Sequence, residues 1–179
     1  MSHAQGAPGI KNAVRAGVRS IEHGIYLDDE AIDLMLEHGT FLVPTLQAPQ
    51  AVIKAAEAGV ALPEAVVEKA RTVVEAHQES TVRAHEAGVQ IAMGTDAGVG
   101  PHGENLEEIS LLAGAGLSTT EALAAGTSVA AALLGEERVG RLGEGSLADL
   151  VLIDGDLRTD DVRGIEDRVH AVYLGGVPV

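Results

Sequence analysis

Two histidines and one aspartate stand where an apolar run gives way to polar residues and glycine. His23 ends SIEHG, Asp96 ends IAMGTD, and His3 opens the chain in HAQG, just before a helical pattern. In parallel βα folds the chemistry collects at the carboxyl ends of the strands, where loops carry side chains over a packed core. Two imidazoles and a carboxylate converging on one rim suit a Zn²⁺-type divalent metal with a water as nucleophile. Such a centre brings the pKa of that water towards neutrality, and Asp96 is placed to take its proton. Each residue also has a plainer reading by itself. His23 reads as a loop histidine bonded to a carbonyl, Asp96 as a turn or helix-cap residue, and His3 as part of a disordered terminus. It is the combination at three strand ends that favours the metal.

The remaining histidines lack that setting. His77 and His85 fall in a long helical pattern and His170 in a β-run, so all three read as structural or solvated. His38 precedes a helix-ending glycine and reads as a favourable cation at a helix carboxyl end. His102 lies in the loop GVGPHGEN just after Asp96, where it reads either as a substrate contact or as plain loop polarity.

Strand and helix patterns alternate to bring these residues to one rim. GIKNAVRAG (residues 9–17) reads as a short helix and VRSIEHG as a strand. Asp28 is placed to cap DEAIDLMLEHG, with Gly39 at its end, and TFLVPTL (residues 40–46) follows as a strand. Residues 63–88 form a long helical stretch with Val66, Ala70, Val73, Val74 and Val82 near one stripe, and VQIAMGTD is the third clear strand. RAGVRSIEHG and EAGVQIAMGTD form a faint repeat, each running from a helix end through glycine into a strand. ENLEEISLLAGAGL and STTEALAAGTSVAAALLG read as two helices, the second capped by Ser118 and Thr119 with Glu121 in its first turn. From there on, short apolar β-runs are separated by Gly and Asp, with LGGVPV as a hairpin. The fold class is therefore α/β with a parallel sheet, in a unit over residues 1–136 and a small β-element over 137–179.

Composition bounds what the protein does. Twelve basic against 27 acidic residues give a net charge of −15, which repels phosphate backbones and anionic lipid surfaces. No nucleic acid and no membrane partner is expected. With no cysteine, disulfides and thiolate ligands are excluded, so a metal must sit on His and carboxylate. MSHAQGAPGI has no apolar core of a signal peptide and no run reaches membrane-spanning length, so a cytoplasmic location is the expectation. The core must come from Ala, Val, Leu and Ile, since aromatic residues are only 2% of the chain. A flavodoxin-like cofactor domain is disfavoured because GxxxxGK[ST] does not occur and the glycine-rich GTDAGVG follows its strand without a Lys.

HAQG, AGVRSIEHGIYLDDE, FLVPTL, GTDAGVGPHGEN and LGEGSLADLVLIDGD, in that order, resemble the carboxyl-terminal half of the metal-dependent amidohydrolase superfamily, in its imidazolonepropionase-like and prolidase-like branch. The resemblance runs over nearly the whole chain. It implies half of a TIM-type (β/α)8 barrel, strands five to eight, with a segment of a composite β-sandwich. By that resemblance His3 and His23 are metal ligands of the fifth and sixth strands, and Asp96 is ligand and proton shuttle of the eighth. Gln5 occupies a position where relatives carry His or Tyr near the substrate. The implied activity is hydrolysis of C–N bonds in dipeptides, N-acyl amino acids or cyclic amides, with a divalent metal, zinc by type, as cofactor.

The family's His-x-His and carboxylated Lys have no counterpart, and Lys11, Lys54 and Lys69 fall in helical patterns. Half a metal site predicts low or no activity for the isolated chain. That points to a proteolytic or engineered fragment, or to a misplaced start. The alternative reading is a non-catalytic half-barrel assembly module. Open strand edges and an uncovered apolar interior predict a homo-oligomer, or pairing with a missing amino-terminal half.

Overall fold

A computed structural model describes residues 1–157 and 161–179. Three parallel strands, β1 (Ser2–Gly6), β2 (Ser20–Tyr26) and β3 (Phe41–Val43), pair in chain order. A fourth run over residues 89–94 joins β3 through a parallel bridge between Leu42 and Ile91. The Ala92 N–H donates to the Leu42 carbonyl and the Leu42 N–H to that of Gln90, both at 2.9 Å. Both halves of the sequence repeat thus end in this sheet.

Helices connect the strands. Helix α1 (Ala7–Arg15) lies between β1 and β2, and α2 (Asp29–His38) between β2 and β3. Asp28 caps α2 by accepting from the Ala31 N–H at 2.9 Å, and Gly39 closes it. Two helices follow β3, α3 (Gln47–Glu57) and α4 (Glu64–Ala87). The sequence pattern places Lys54 in a helix but does not give the bounds of α3, and β3 stops at Val43 rather than running to residue 46.

Beyond the fourth run come α5 (Glu107–Gly114), α6 (Thr119–Ala125) and α7 (Ser128–Leu134). The Ser118–Glu121 capping box starts α6 as expected. The single helix expected from residue 118 onwards is two, because Thr127 leaves the helical region at φ −128°, ψ −94°. The small sheet is antiparallel in the order β4 (Leu150–Ile153), β5 (Val169–Leu174), β6 (Val177–Pro178). Gly175 and Gly176, at φ 58° and 81°, form its two-residue turn, so LGGVPV is the expected hairpin.

The parallel sheet is covered by helices on one face and, at β3 and the fourth run, on the other as well. On one, Ala4, Ile21 and Leu42 pack against Ile10 and Val14 of α1, Ala31, Ile32 and Met35 of α2, and Ala84 of α4. Each fully buried Ile or Leu here contributes about 1.5–3 kcal/mol relative to exposure. On the other face Phe41, Val43 and Ala92 lie under Val129 and Leu133 of α7. The apolar interior is therefore not uncovered at these positions, against expectation. A second cluster joins Ile91 to α5 and α6 and takes in Val162 and Ile165, anchoring the chain that leads to the small sheet.

Candidate functional site

The carboxyl ends of the parallel strands carry an unusual backbone. Among the described residues the non-glycine residues with positive φ are His23 (73°), inside β2, Thr45 (57°), just after β3, and Asp96 (53°), just after the fourth run. Left-handed backbone is costly for residues with a Cβ, most of all for a β-branched one such as Thr45. Persisting strain of this kind is held by the surrounding packing and clusters at functional sites.

For His23 the effect of that conformation can be traced. Ile21 points into the core beneath α1 and α2, whereas the Ser20 hydroxyl donates to the Glu22 carboxylate at 2.6 Å on the opposite side of the strand. Strict alternation would send His23 back towards the helices with Ile21. The left-handed turn breaks the alternation, and the His23 ring meets that of His3 edge-on, with centroids 4.5 Å apart and planes at 70°. Gly24 then continues in the left-handed region at φ 59°, where a Cβ would stand 2.6 Å from the Leu42 side chain.

Two buried helical residues hold this rim from behind. His77, 1% exposed on α4, places Nε2 3.0 Å from the His23 carbonyl and 2.7 Å from that of Pro44. Both partners accept only, so Nε2 carries the proton and donates to the ends of β2 and β3 together. Burial pushes His77 down to about 4, so it is neutral and its Nδ1 carries no proton; that nitrogen has no hydrogen-bond partner among the described residues. One turn on, the Ser80 hydroxyl donates to the Ile25 carbonyl at 2.7 Å and accepts from the Leu27 N–H. The buried face of α4 is accordingly Ala70, Val73, His77, Ser80, Thr81 and Ala84. This corrects the expected valine stripe, since Val66 is exposed and Val74 and Val82 are only half-buried. His77 and Ser80 serve carbonyls at the ends of the strands, while the Thr81 hydroxyl donates to the His77 carbonyl of its own helix.

Glu108, fully buried on α5, is a second residue the sequence reading missed. Its two carboxylate oxygens accept from the Leu46 and Gln47 N–H groups, each at 2.8 Å, and so cap α3 from outside. Burial raises Glu108 to about 7 against the opposing pull of those two bonds. The sequence signal was slight: a glutamate four residues before Leu112, itself fully buried.

His3 and His23 come together, and Asp96 is near enough for its charge to act on His23. His23 is pushed below its ordinary pKa, first by burial and then by His3, while Asp96 opposes the shift. The donors are imidazole nitrogen and carboxylate oxygen, the kinds that suit a zinc-like divalent ion. Among the described residues no group of three or more His, Asp or Glu is gathered closely enough to hold such an ion. The donor set therefore fits a metal in chemical type and is partial in number. Gln5 is half-buried in β1, and His102 is exposed in the loop after Asp96. Lys11 is engaged with Asp28 and Glu30, and Lys54 with Glu107. No helix among the described residues is long and apolar enough to cross a membrane.

The amidohydrolase family model matches residues 1–179. Ochratoxinase of Aspergillus niger is 31% identical over 180 residues, which cover 98% of this chain and 36% of that protein. The crystal structure of a Xaa-Pro dipeptidase with bound methionine in its active site superimposes with a TM-score of 0.89 at 39% identity, over 99% of this chain and 43% of that one. A prolidase complexed with N-methylphosphonate-L-proline gives a TM-score of 0.88 at 36% identity, over 99% of this chain and 44% of the other. The chain thus spans between 36% and 44% of the length of these relatives.

Proposed function

This chain belongs to the amidohydrolase family, and we propose on that premise that the complete protein is a metal-dependent hydrolase of C–N bonds. Its substrates in this reading are dipeptides, N-acyl amino acids or cyclic amides. The similarity to a Xaa-Pro dipeptidase and a prolidase makes Xaa-Pro dipeptides the first to test. The chain itself supplies the carboxyl-terminal half of a (β/α)8 barrel and one part of a composite β-sandwich.

In this proposal His3, His23 and Asp96 hold a divalent metal, zinc by donor type, together with ligands from the rest of the protein. When bound, such an ion supplies Lewis acidity and lowers the pKa of a water. The Asp96 carboxylate accepts the proton of the attacking water and returns it to the leaving nitrogen. Gln5 and His102 are assigned to the substrate side of the same rim. The observation that carries the reading is the coincidence of three strained non-glycine residues with the His3–His23 contact at one set of strand ends.

Elemental analysis of chelator-free protein, against His23→Ala, tests it. Near-stoichiometric zinc that is lost in the variant supports the ligand assignment. Absence of metal from both, in the complete protein, removes it.

A second reading follows from β1, which among the described residues pairs on one side only, with β2. An open parallel edge favours association, so alone this chain forms a homo-oligomer or pairs with the amino-terminal half of the complete protein, with low or no activity by itself. A monodisperse monomer in light scattering at micromolar concentration counts against it.

A further inference from the structure

The Thr45 hydroxyl lies 2.5 Å from the Pro44 carbonyl and 2.6 Å from His23 Nδ1. The Pro44 carbonyl can only accept, and it already receives the Nε2–H of His77. A carbonyl has two lone pairs, and Thr45 takes the second with its single hydrogen. What Thr45 then presents to His23 is an acceptor oxygen, and the matching arrangement puts the His23 proton on Nδ1. The Nε2 of His23 is left as a free lone pair.

From this chain of donors and acceptors we propose that Thr45 is a positioning residue that selects the Nδ1–H tautomer of His23, with His77 holding the Pro44 carbonyl in place. The backbone supports the assignment. Thr45 is 4% exposed and sits at φ 57°, where glycine or asparagine is the cheaper choice and a β-branched residue the worst. A threonine there is accounted for by what its hydroxyl does. The inference rests on the reading of His23 as a ligand only for its purpose, because an imidazole bound through Nε2 needs its proton on the other nitrogen. The tautomer itself is a property of the protein without metal.

The test is two-bond ¹H–¹⁵N correlation on protein labelled at histidine, at about pH 8 where imidazoles are neutral, with His23→Gln and His77→Gln to assign the signals. His23 is expected with a protonated Nδ1 and a pyridine-type Nε2, and His77 with the opposite pattern. Thr45→Val removes the hydroxyl while keeping β-branching and volume, and should move His23 to the Nε2–H form. Thr45→Ser should retain Nδ1–H, a rescue that a purely space-filling role does not predict.

Zn²⁺ titration of the same proteins is expected to show affinity lowered by about 10–100-fold in Thr45→Val. An Nε2–H tautomer in the unsubstituted protein overturns the proposal even if Thr45→Val fails to fold, and so does an unchanged Nδ1–H pattern in folded Thr45→Val. If the tautomers behave as expected while the complete protein binds no Zn²⁺, the ligand reading of His23 fails and the role of Thr45 stands.

Discussion

The two sheets of this molecule solve the same backbone problem with different residues. At the β5–β6 turn the chain needs two left-handed residues and uses Gly175 and Gly176, the cheapest choice. At the carboxyl ends of the parallel strands it needs left-handed residues again and uses His23, Thr45 and Asp96. The surroundings differ in the same sense. The small sheet leaves Val151, Val172, Leu174 and Val177 exposed, and its nearby ion pair, Asp161 with Arg163, lies on the surface. The parallel rim is backed by the buried donors of His77 and Ser80, and the helix that follows β3 is capped by the buried carboxylate of Glu108. The difference teaches that left-handed backbone is a mere turn where glycine provides it, and a pointer to function where side chains are retained despite the strain.

Substitutions at the rim should separate activity from stability, and those in the small sheet should not. The largest effect is expected for Asp96→Asn in the complete protein. Turnover should fall by about 10²–10⁴-fold with an unchanged circular dichroism spectrum, and undiminished turnover would remove Asp96 from the chemistry. Next comes the pH dependence due to Glu108. Its folded pKa, about 7, is raised above the ordinary 4.5. Between those values the folded state holds the extra proton, so stability is greatest at the acidic end and falls as pH rises through the window, by up to a few kcal/mol. Urea midpoints measured across that range should show the slope, and Glu108→Gln should abolish it.

Replacing His77 by Leu takes the shared donor from the His23 and Pro44 carbonyls, leaving Pro44 only the Thr45 hydroxyl, and should cost about 1–3 kcal/mol, read from the urea midpoint. If the loss is negligible, the rim is not held from α4. The smallest effects test the comparison itself. Gly175→Ala should cost about 1–2 kcal/mol, because alanine is forced left-handed there. Asp96→Gly should keep stability within about 1 kcal/mol of the unsubstituted protein or raise it, since Asp96 is exposed and its strain is relieved. Equal losses at both positions would break the distinction between the two sheets.

Much of the fold could be read from local pattern. Asp28 and Gly39 bound α2, Ser118 and Glu121 start α6, and the paired glycines form the last hairpin, each acting within a few residues of its own position. Helix α3 could not be read this way. It begins after Pro44, contains Pro49 in its first turn, and has no side-chain cap of its own. Its cap comes from Glu108, 62 and 61 residues away from the two amides it serves. The buried face of α4 was misjudged for a related reason. Apolar periodicity selects valines, whereas the ends of the strands require hydrogen-bond donors.

What the sequence determined by itself was the alternation of strand and helix, the α/β class and the family, because capping, periodicity and motif are local or linear properties. The tertiary structure alone decided that His23 turns out of the strand's alternation to meet His3, that Thr45 and His77 stand behind it, and that a buried glutamate caps a distant helix. These depend on which carbonyls and amides are left unpaired once the strands and helices pack, and only the packed chain brings residues 23, 45 and 77 within hydrogen-bond reach of one another.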